Sequence, residues 1–470
     1  MKKNSSMLIL VLFLAFSLNA LAQEEKKEKT EDVKTGWNVG ALPVVSFDSD
    51  MGFQYGALSS IYNYGDGSRY PEYDHMFYVE ASKFTKGSSI FRFAYEGDQL
   101  IEGVRVNFDF GYLPDDLSAF YGFNGYESVY NAGWEDQEDA AYMSRMIYKH
   151  KRNLFRTTAD FVGDLGIGKL QWSAGIGYYN FSIGSVDIDK YNDGVDTNDP
   201  DYLPSLTDVP GLYENYKAWG LIPDADAEGG TMVTLKVGLT YDSRDNRPNP
   251  NSGIWTEAGF SYSPAFLGSA EQGFVKFYIT HRQYFTVIKN RLTFAYRVGF
   301  QNTIAGETPW YAQNLMVIAA NRSAFSEGLG GSKSIRGVLR NRVVGDGFAY
   351  GNFEARLKAV KFKFINQNFY IGINGFLDLG QAVTLISIED QVNAQNSLIT
   401  QDLTEVNDLY GTSITSANYF DFGSESLHIG YGAGLKIVMN QNFIISVDYG
   451  MAAATEDGSS GMYIGLNYLF

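Results

Sequence analysis

The chain contains no cysteine, only four histidines (His75, His150, His281 and His428) and eleven prolines in 470 residues. Without cysteine, disulfides, thiol catalysis and a lipid-modified N-terminal cysteine are excluded. No histidine stands at ligand spacing from another, so neither a metal site nor any other cofactor is expected. No G-x-S-x-G occurs, and no Ser/His/Asp arrangement is supported by a motif, so the expectation is that the protein is not an enzyme. Beyond the first 22 residues no run approaches the ~18 consecutive apolar residues that a spanning helix needs. Positive charge is also short: 37 Lys and Arg face 54 Asp and Glu, for a net charge of −17. That balance argues against a nucleic-acid partner and against a surface that seeks anionic headgroups.

What is present begins with a secretory signal. Lys2 and Lys3 precede the apolar run Met7 to Phe16 and the small-residue site Ala20-Leu21-Ala22, so residues 1–22 read as a cleaved peptide and Gln23 as the first mature residue. Gly (50), Tyr (33) and Phe (33) are abundant while mean hydropathy is slightly negative. A membrane β-barrel has this profile, because apolar residues meet lipid, polar residues and glycines face the lumen, and aromatics form two girdles. One or two soluble β domains are the alternative.

Residues Gln23 to Gly36 are nearly all charged or small and cannot bury enough apolar surface to fold. They read as a periplasmic leader, and Asn38 to Phe47 as a lead-in to the barrel, so the domains are 1–22 signal, 23–50 leader and lead-in, and 51–470 barrel. About sixteen period-two segments have the ~9–11 residues of a membrane strand. They fall near 51–63, 74–84, 88–97, 103–112, 141–150, 153–163, 169–180, 231–241, 253–263, 272–284, 290–301, 348–358, 367–378, 427–437, 442–450 and 462–470. This is an all-β, antiparallel transmembrane barrel with an even strand count and both ends in the periplasm. In Val233 to Tyr241 the odd positions are apolar and Thr234, Lys236, Gly238 and Thr240 form the other face; Ile429 to Ile437 repeats the pattern, with His428 and Lys436 inward. Met439-Asn440-Gln441 is a periplasmic turn, and the acidic stretches 181–229 and 379–426 are external loops. Strand parity then places the Leu113 to Ala140 connection in the periplasm. The Asp187 to Asp201 loop has carboxylates for calcium but lacks EF-hand spacing, and a solvated loop is the preferred reading. At Asp242, Arg244 and Asp245 an Asx turn with a local ion pair is preferred.

One constellation stands out. Gly330-Gly331-Ser332-Lys333-Ser334-Ile335-Arg336-Gly337 lies in the long Gln301 to Gly347 connection, and Glu354 and Asp378 project to the polar face of the next two strands. A loop folded back into the lumen would bring Arg336 to both carboxylates, which its planar fork suits. Gly330, Gly331 and Gly337 permit the tight approach. Ordinary lumenal charges beside a glycine-rich loop are the competing reading.

This segment resembles the V/I-R-G-F/Y loop motif of the BamA/TamA family of outer-membrane insertase and translocase barrels, the bacterial surface-antigen family. Tyr241-Asp242-Ser243-Arg244-Asp245-Asn246 with Pro250 and Gly253, Phe353-Glu354-Ala355-Arg356, Phe376-Leu377-Asp378-Leu379-Gly380 and the final Tyr463 to Phe470 resemble further family motifs, in the family's order. The resemblance implies a loop arginine, Arg336, held by Glu354 and Asp378, with Gly331 and Gly337 shaping the loop. Two features depart from the family: Val338 stands where an aromatic is preferred, and the leader has no room for the periplasmic repeat domains that receive clients.

In the last strand Ile464, Leu466, Tyr468 and Phe470 share the face read as lipid-facing, with Gly465 and Asn467 inward. That pattern resembles the signal by which the general barrel-assembly machinery would insert this chain. The strand is expected to close against Phe53 to Tyr62, whose Gln54, Gly56, Ser59 and Ser60 pack weakly, giving a seam that can part. The functional expectation is insertion or translocation of protein or lipid at the outer membrane of a Gram-negative bacterium, with outer-membrane lipid and a separate periplasmic or outer-membrane protein as partners. A passive channel is the alternative, and a barrel-borne lipase with His150 or His281 as base a more remote one.

Overall fold

The computed structural model describes residues 33–48, 51–316, 328–365 and 367–470. The signal segment and most of the leader lie outside the described residues. Sixteen antiparallel strands follow in chain order: β1 (Trp37–Asp48), β2 (Gly52–Asn63), β3 (His75–Phe84), β4 (Ser89–Ile101), β5 (Val104–Ala119), β6 (Lys149–Ile167), β7 (Leu170–Gly184), β8 (Gly229–Asp242), β9 (Gly253–Ser263), β10 (Phe274–Ile288), β11 (Leu292–Gly306), β12 (Gly347–Phe364), β13 (Gln367–Thr384), β14 (His428–Met439), β15 (Phe443–Ala452) and β16 (Ser460–Leu466). Each pairs with its sequence neighbours, and the sheet curls into a barrel until β1 meets β16.

Alternation sets the two faces. On β8, Leu235, Val237, Leu239 and Tyr241 are exposed on the outside while Thr234 and Thr240 are buried inside. On β14, Tyr431, Leu435 and Ile437 point out, and His428 and Lys436 are sealed within. With no water in the bilayer core, only a sheet whose backbone groups pair internally can expose such a belt. Tight turns gather at one end: in the three-residue link 440–442 between β14 and β15, Asn440 and Gln441 both adopt positive φ (48° and 61°), as short hairpin links favour.

Inside, charged side chains from adjacent strands, or from strands one apart, neutralise each other. Asp109 accepts from Arg92 (2.6 Å) and Arg156 (3.0 Å), Glu257 holds Arg282 (2.9 Å) and Asp160 holds Lys236 (2.5 Å). Buried charges persist only when paired in this way.

Four readings of the sequence are corrected. Residues 141–148 form no strand; they belong to a long connection, 120–148, between β5 and β6. The supposed lead-in Asn38 to Phe47 is instead β1, in register with β2 along all twelve residues, so the barrel begins before residue 51. The two errors cancelled in the count but inverted parity in between. The segment read as a periplasmic Leu113 to Ala140 connection therefore emerges at the end where the other long loops lie, and Asn124 N–H donates to Val344 O there at 2.6 Å. The third correction follows from the second: β16 adjoins β1, and not the Phe53 to Tyr62 strand. Finally, aromatics do more than form girdles. Phe120, Trp134, Tyr148, Tyr216, Trp219 and Phe420 from three external connections pack into one buried cluster that caps the barrel, and such rings supply large buried area.

The revised topology is testable with single cysteines, since the native chain has none. Glu138→Cys should react with a membrane-impermeant maleimide in intact cells, and Lys169→Cys only after the outer membrane is permeabilised. The reverse pattern would restore the periplasmic placement of 120–148.

Candidate functional site

The described parts of the connection between β11 and β12, residues 307–316 and 328–346, fold back into the lumen. Its returning arms are joined by a two-way backbone bridge between Leu329 and Val343 (2.9 and 3.1 Å) and by Gly331 N–H to Val338 O (2.8 Å). Ile335, Val338 and Val343 pack with Phe348 in a small apolar cluster. Val338 is fully buried there, so the position where a larger ring was expected is filled by a compact side chain.

Arg336, 1 % exposed, lies at the tip. Its Nε and Nη2 donate to the two Asp378 oxygens at 2.8 and 3.0 Å, and its backbone N–H donates to the same carboxylate at 3.1 Å. Nη1 stands 2.8 Å from Glu354 Oε1, close enough for an ion pair although off line for a hydrogen bond, and 3.5 Å from Asp448. The guanidinium stacks 3.5 Å above the Phe376 ring. Asn352 ties the arrangement together, donating to Asp378 (2.8 Å) and to Ser334 O (2.6 Å). The expected trio of Arg336, Glu354 and Asp378 is thus in contact. Asp448, Phe376 and Asn352 complete it, and each was accessible from strand parity, since every one lies on an inward position of β15, β13 or β12.

Glycines seat the loop on the wall. A Cβ at Gly337 (φ 99°) would sit 2.5 Å from the Met451 backbone, and Cβ atoms on the wall at Gly430 and Gly450 would come within 2.2 and 2.6 Å of the Arg336 backbone. Loop and wall meet main chain to main chain. Gly331 (φ 72°) turns the strap, and Gly337 N–H donates to the Tyr463 hydroxyl of β16 at 3.2 Å.

The terminal segment departs from expectation. β16 ends at Leu466, and Asn467 takes a left-handed conformation (φ 68°) with its N–H on Ile444 O at 2.9 Å. That kink breaks the alternation, so Tyr468 and Phe470 turn into the lumen and not to lipid. Tyr468 packs with Tyr370, Val438 and Ile444. Arg356 lies 4.1 Å from the Tyr468 ring and 4.9 Å from that of Phe470, and donates to the Phe470 carbonyl at 2.8 Å. The other oxygen of Glu354 accepts from Arg356 at 2.7 Å. One carboxylate therefore serves both the loop arginine and the arginine that holds the chain's last residues.

The junction of β1 and β16 is sparse. A single pair, Asp48 and Tyr463 at the external end, is in register, whereas β15 and β16 are paired over seven positions. Below it Pro43, Val44 and Val45 face Ile464, Gly465 and Leu466 across a lumenal cavity of about 380 Å³, which Gln54, Glu80 and Lys333 also line. The sequence pointed to a weak seam, but placed it against the wrong strand.

At the external rim, His428 contacts Asp457 (2.6 Å) and Glu425 (3.2 Å) under a stacked Tyr126 ring (4.0 Å), while Arg342 donates to Gly125 O (2.7 Å) and Glu456 O (2.8 Å). Four connections meet at this node. Apart from Glu425 and His428, three residues apart, its partners are too distant in sequence for local spacing to have revealed it. The Asp242–Arg244 turn is the local ion pair expected, at 2.8 Å, with Arg244 stacked on Trp255 at 3.8 Å.

Arg336→Ala should cost about 3–5 kcal/mol, because it strands buried Asp378 without its cation, although Glu354 keeps Arg356 and Asp448 keeps Lys436. Limited proteolysis should then cut within 328–346, where the native loop resists. Arg336→Lys should recover only part of the protection, since an ammonium cannot reproduce the fork or the stacking. Equal resistance in all three proteins would mean that the clamp does not hold the loop.

The sequence matches the Omp85 superfamily domain over residues 124–470. Among solved structures, the fold is similar to CdiB from Escherichia coli (TM-score 0.51, 11% identity, covering 93% of this chain and 64% of that one). It is also similar to BamA from Haemophilus ducreyi lacking POTRA domains 1-3 (TM-score 0.44, 12% identity, 93% and 71%). This chain thus spans less than two thirds of the CdiB chain. No curated protein sequence matches it. With three quarters of its length inside the family domain and a barrel whose outer face is apolar, the chain belongs to the Omp85 superfamily and is an outer-membrane β-barrel.

Proposed function

We propose that this barrel inserts or translocates protein or lipid by parting its β1–β16 seam, with a separate periplasmic partner delivering the client. The observation that carries the reading is the single registered pair at that seam, beside a cavity continuous with the lumen. Elsewhere every neighbouring strand pair is in register over many residues. An unpaired edge facing hydrocarbon leaves N–H and C=O groups without partners, at several kcal/mol each. Such an edge is a template for an incoming strand or a passage for an amphiphile.

The loop clamp supports the same reading. Upward escape is closed by the aromatic cap and the lumen is obstructed by the arginine-tipped loop, so movement through the wall is the remaining route. Glu354 links the two devices, since it touches both Arg336 and the Arg356 that grips Phe470 beyond β16. Members of the superfamily work with partner proteins, and in this reading the barrel supplies a path and no catalytic chemistry.

A Val45→Cys, Leu466→Cys double variant places thiols across the parted stretch by extending the Asp48–Tyr463 register. Oxidation should abolish client insertion in proteoliposomes, and reduction should restore it, with gel migration of the folded barrel unchanged. Full activity of the locked protein would refute seam opening. A large, steady conductance in planar bilayers would favour a passive channel instead.

A further inference from the structure

The lumenal wall carries a second feature that neither the clamp nor the seam uses. Lys236 on β8, Ser261 on β9 and Lys276 on β10 are directly opposite one another across three adjacent strands. Parity points all three inward, and all line or flank one cavity of about 50 Å³ beneath Ala312, Leu315 and Met316. Lys236 is neutralised by Asp160, over the bare backbone of Gly175, where a Cβ would sit 2.1 Å from the carboxylate. Lys276 has no such counterpart. It is 2 % exposed, and its Nζ makes no hydrogen bond among the described residues. Asp346, the carboxylate that acts on it at longer range, is engaged by Thr303 at 2.9 Å.

The charges around the cavity do not cancel. Asp109 is held by both Arg92 and Arg156, and Asp160 by Lys236, so among the described residues the lining leaves Lys276 without a carboxylate of its own. A second unsatisfied atom on the same wall is the Thr234 hydroxyl. An ammonium can only donate, and a hydroxyl can donate. A buried ammonium without partner is strongly unfavourable, and both groups are served by one kind of guest, a compact acceptor with negative charge.

We propose that Lys276 and Thr234 form a lumenal binding site for a small oxyanion of the phosphate or carboxylate class. The volume admits about three to five waters, at ~10–15 Å³ each, or one such anion; a whole lipid or peptide does not fit. Charge-assisted hydrogen bonds to Lys276 supply affinity, and Thr234 adds orientation. The site lies on the wall between the cap and the clamp, so occupancy stiffens β8 to β10 without touching the seam.

The test uses the full-length barrel in detergent, with inorganic phosphate as probe and sodium chloride at matched ionic strength as control. Ligand that binds only the folded state raises the unfolding midpoint with its concentration. Native protein should show a saturable rise with phosphate. Lys276→Gln should weaken the apparent affinity by about tenfold or more, the size expected for losing one charged hydrogen bond, and Thr234→Val by less. Lys276→Arg, which keeps the charge, should retain the response and shows that loss in the glutamine variant is not misfolding. No phosphate dependence beyond the chloride control, or equal dependence in native and Lys276→Gln proteins, would overturn the site.

Discussion

The clamp on Arg336 is the interaction on which the interior depends. A guanidinium removed from water is tolerable only if its donors find acceptors, and here one side chain meets Asp378 through two parallel bonds, Glu354 and Asp448 through charge, and Phe376 through its face. Those partners come from β12, β13 and β15, so the ion cluster fixes three staves relative to one another as well as the loop. Remove the cation and buried Asp378 loses its counter-charge, while Glu354 keeps Arg356 and Asp448 keeps Lys436.

From that cluster the structure divides into a firm side and a soft one. The wall from β5 to β14 has long strands paired over many positions, and most of its lumenal charges are compensated. The ends of the sheet meet through one pair, and the last strand is short and then kinks inward at Asn467. Glu354 stands between the two sides. Its one oxygen belongs to the loop and its other to the arginine that grips Tyr468 and Phe470, so rearrangement on either side changes the charge balance felt by the other. Both sites bias the same group, which is the physical requirement for coupling.

Period-two patterning made most of the barrel legible, because each inward or outward assignment on β8, β12, β13 and β14 follows from chemistry that only one solvent tolerates. The Arg336 trio was legible in part for the same reason: parity put Glu354 and Asp378 inward, while the resemblance of the loop and strand motifs to the BamA/TamA family tied the arginine to them. The failures were also physical. Residues 141–148 alternate enough to imitate a strand but are held by turns and by the aromatic cap, a tertiary context that local pattern does not carry. Trp37 to Asp48 contains Pro43 and lies at the edge of the sheet, where proline is tolerated; that made a real strand resemble a linker. Tyr468 and Phe470 continue the parity of β16 on paper, yet one left-handed residue turned them around. The cap node at His428 is assembled from four connections, and apart from the neighbouring Glu425 its members leave no local trace.

The floor beneath the loop is bare main chain at Gly430 and Gly450, matched by Gly337 above. Surfaces that interlock through side chains must unmesh before they slide, whereas two smooth backbones have no teeth to disengage. At the tip, resistance to lifting therefore resides in the ion cluster, and the loop behaves there as a spring bolt does: seated while its charges are matched, loosened once a rival charge arrives, with the apolar contacts of Ile335 and Val338 still to be undone.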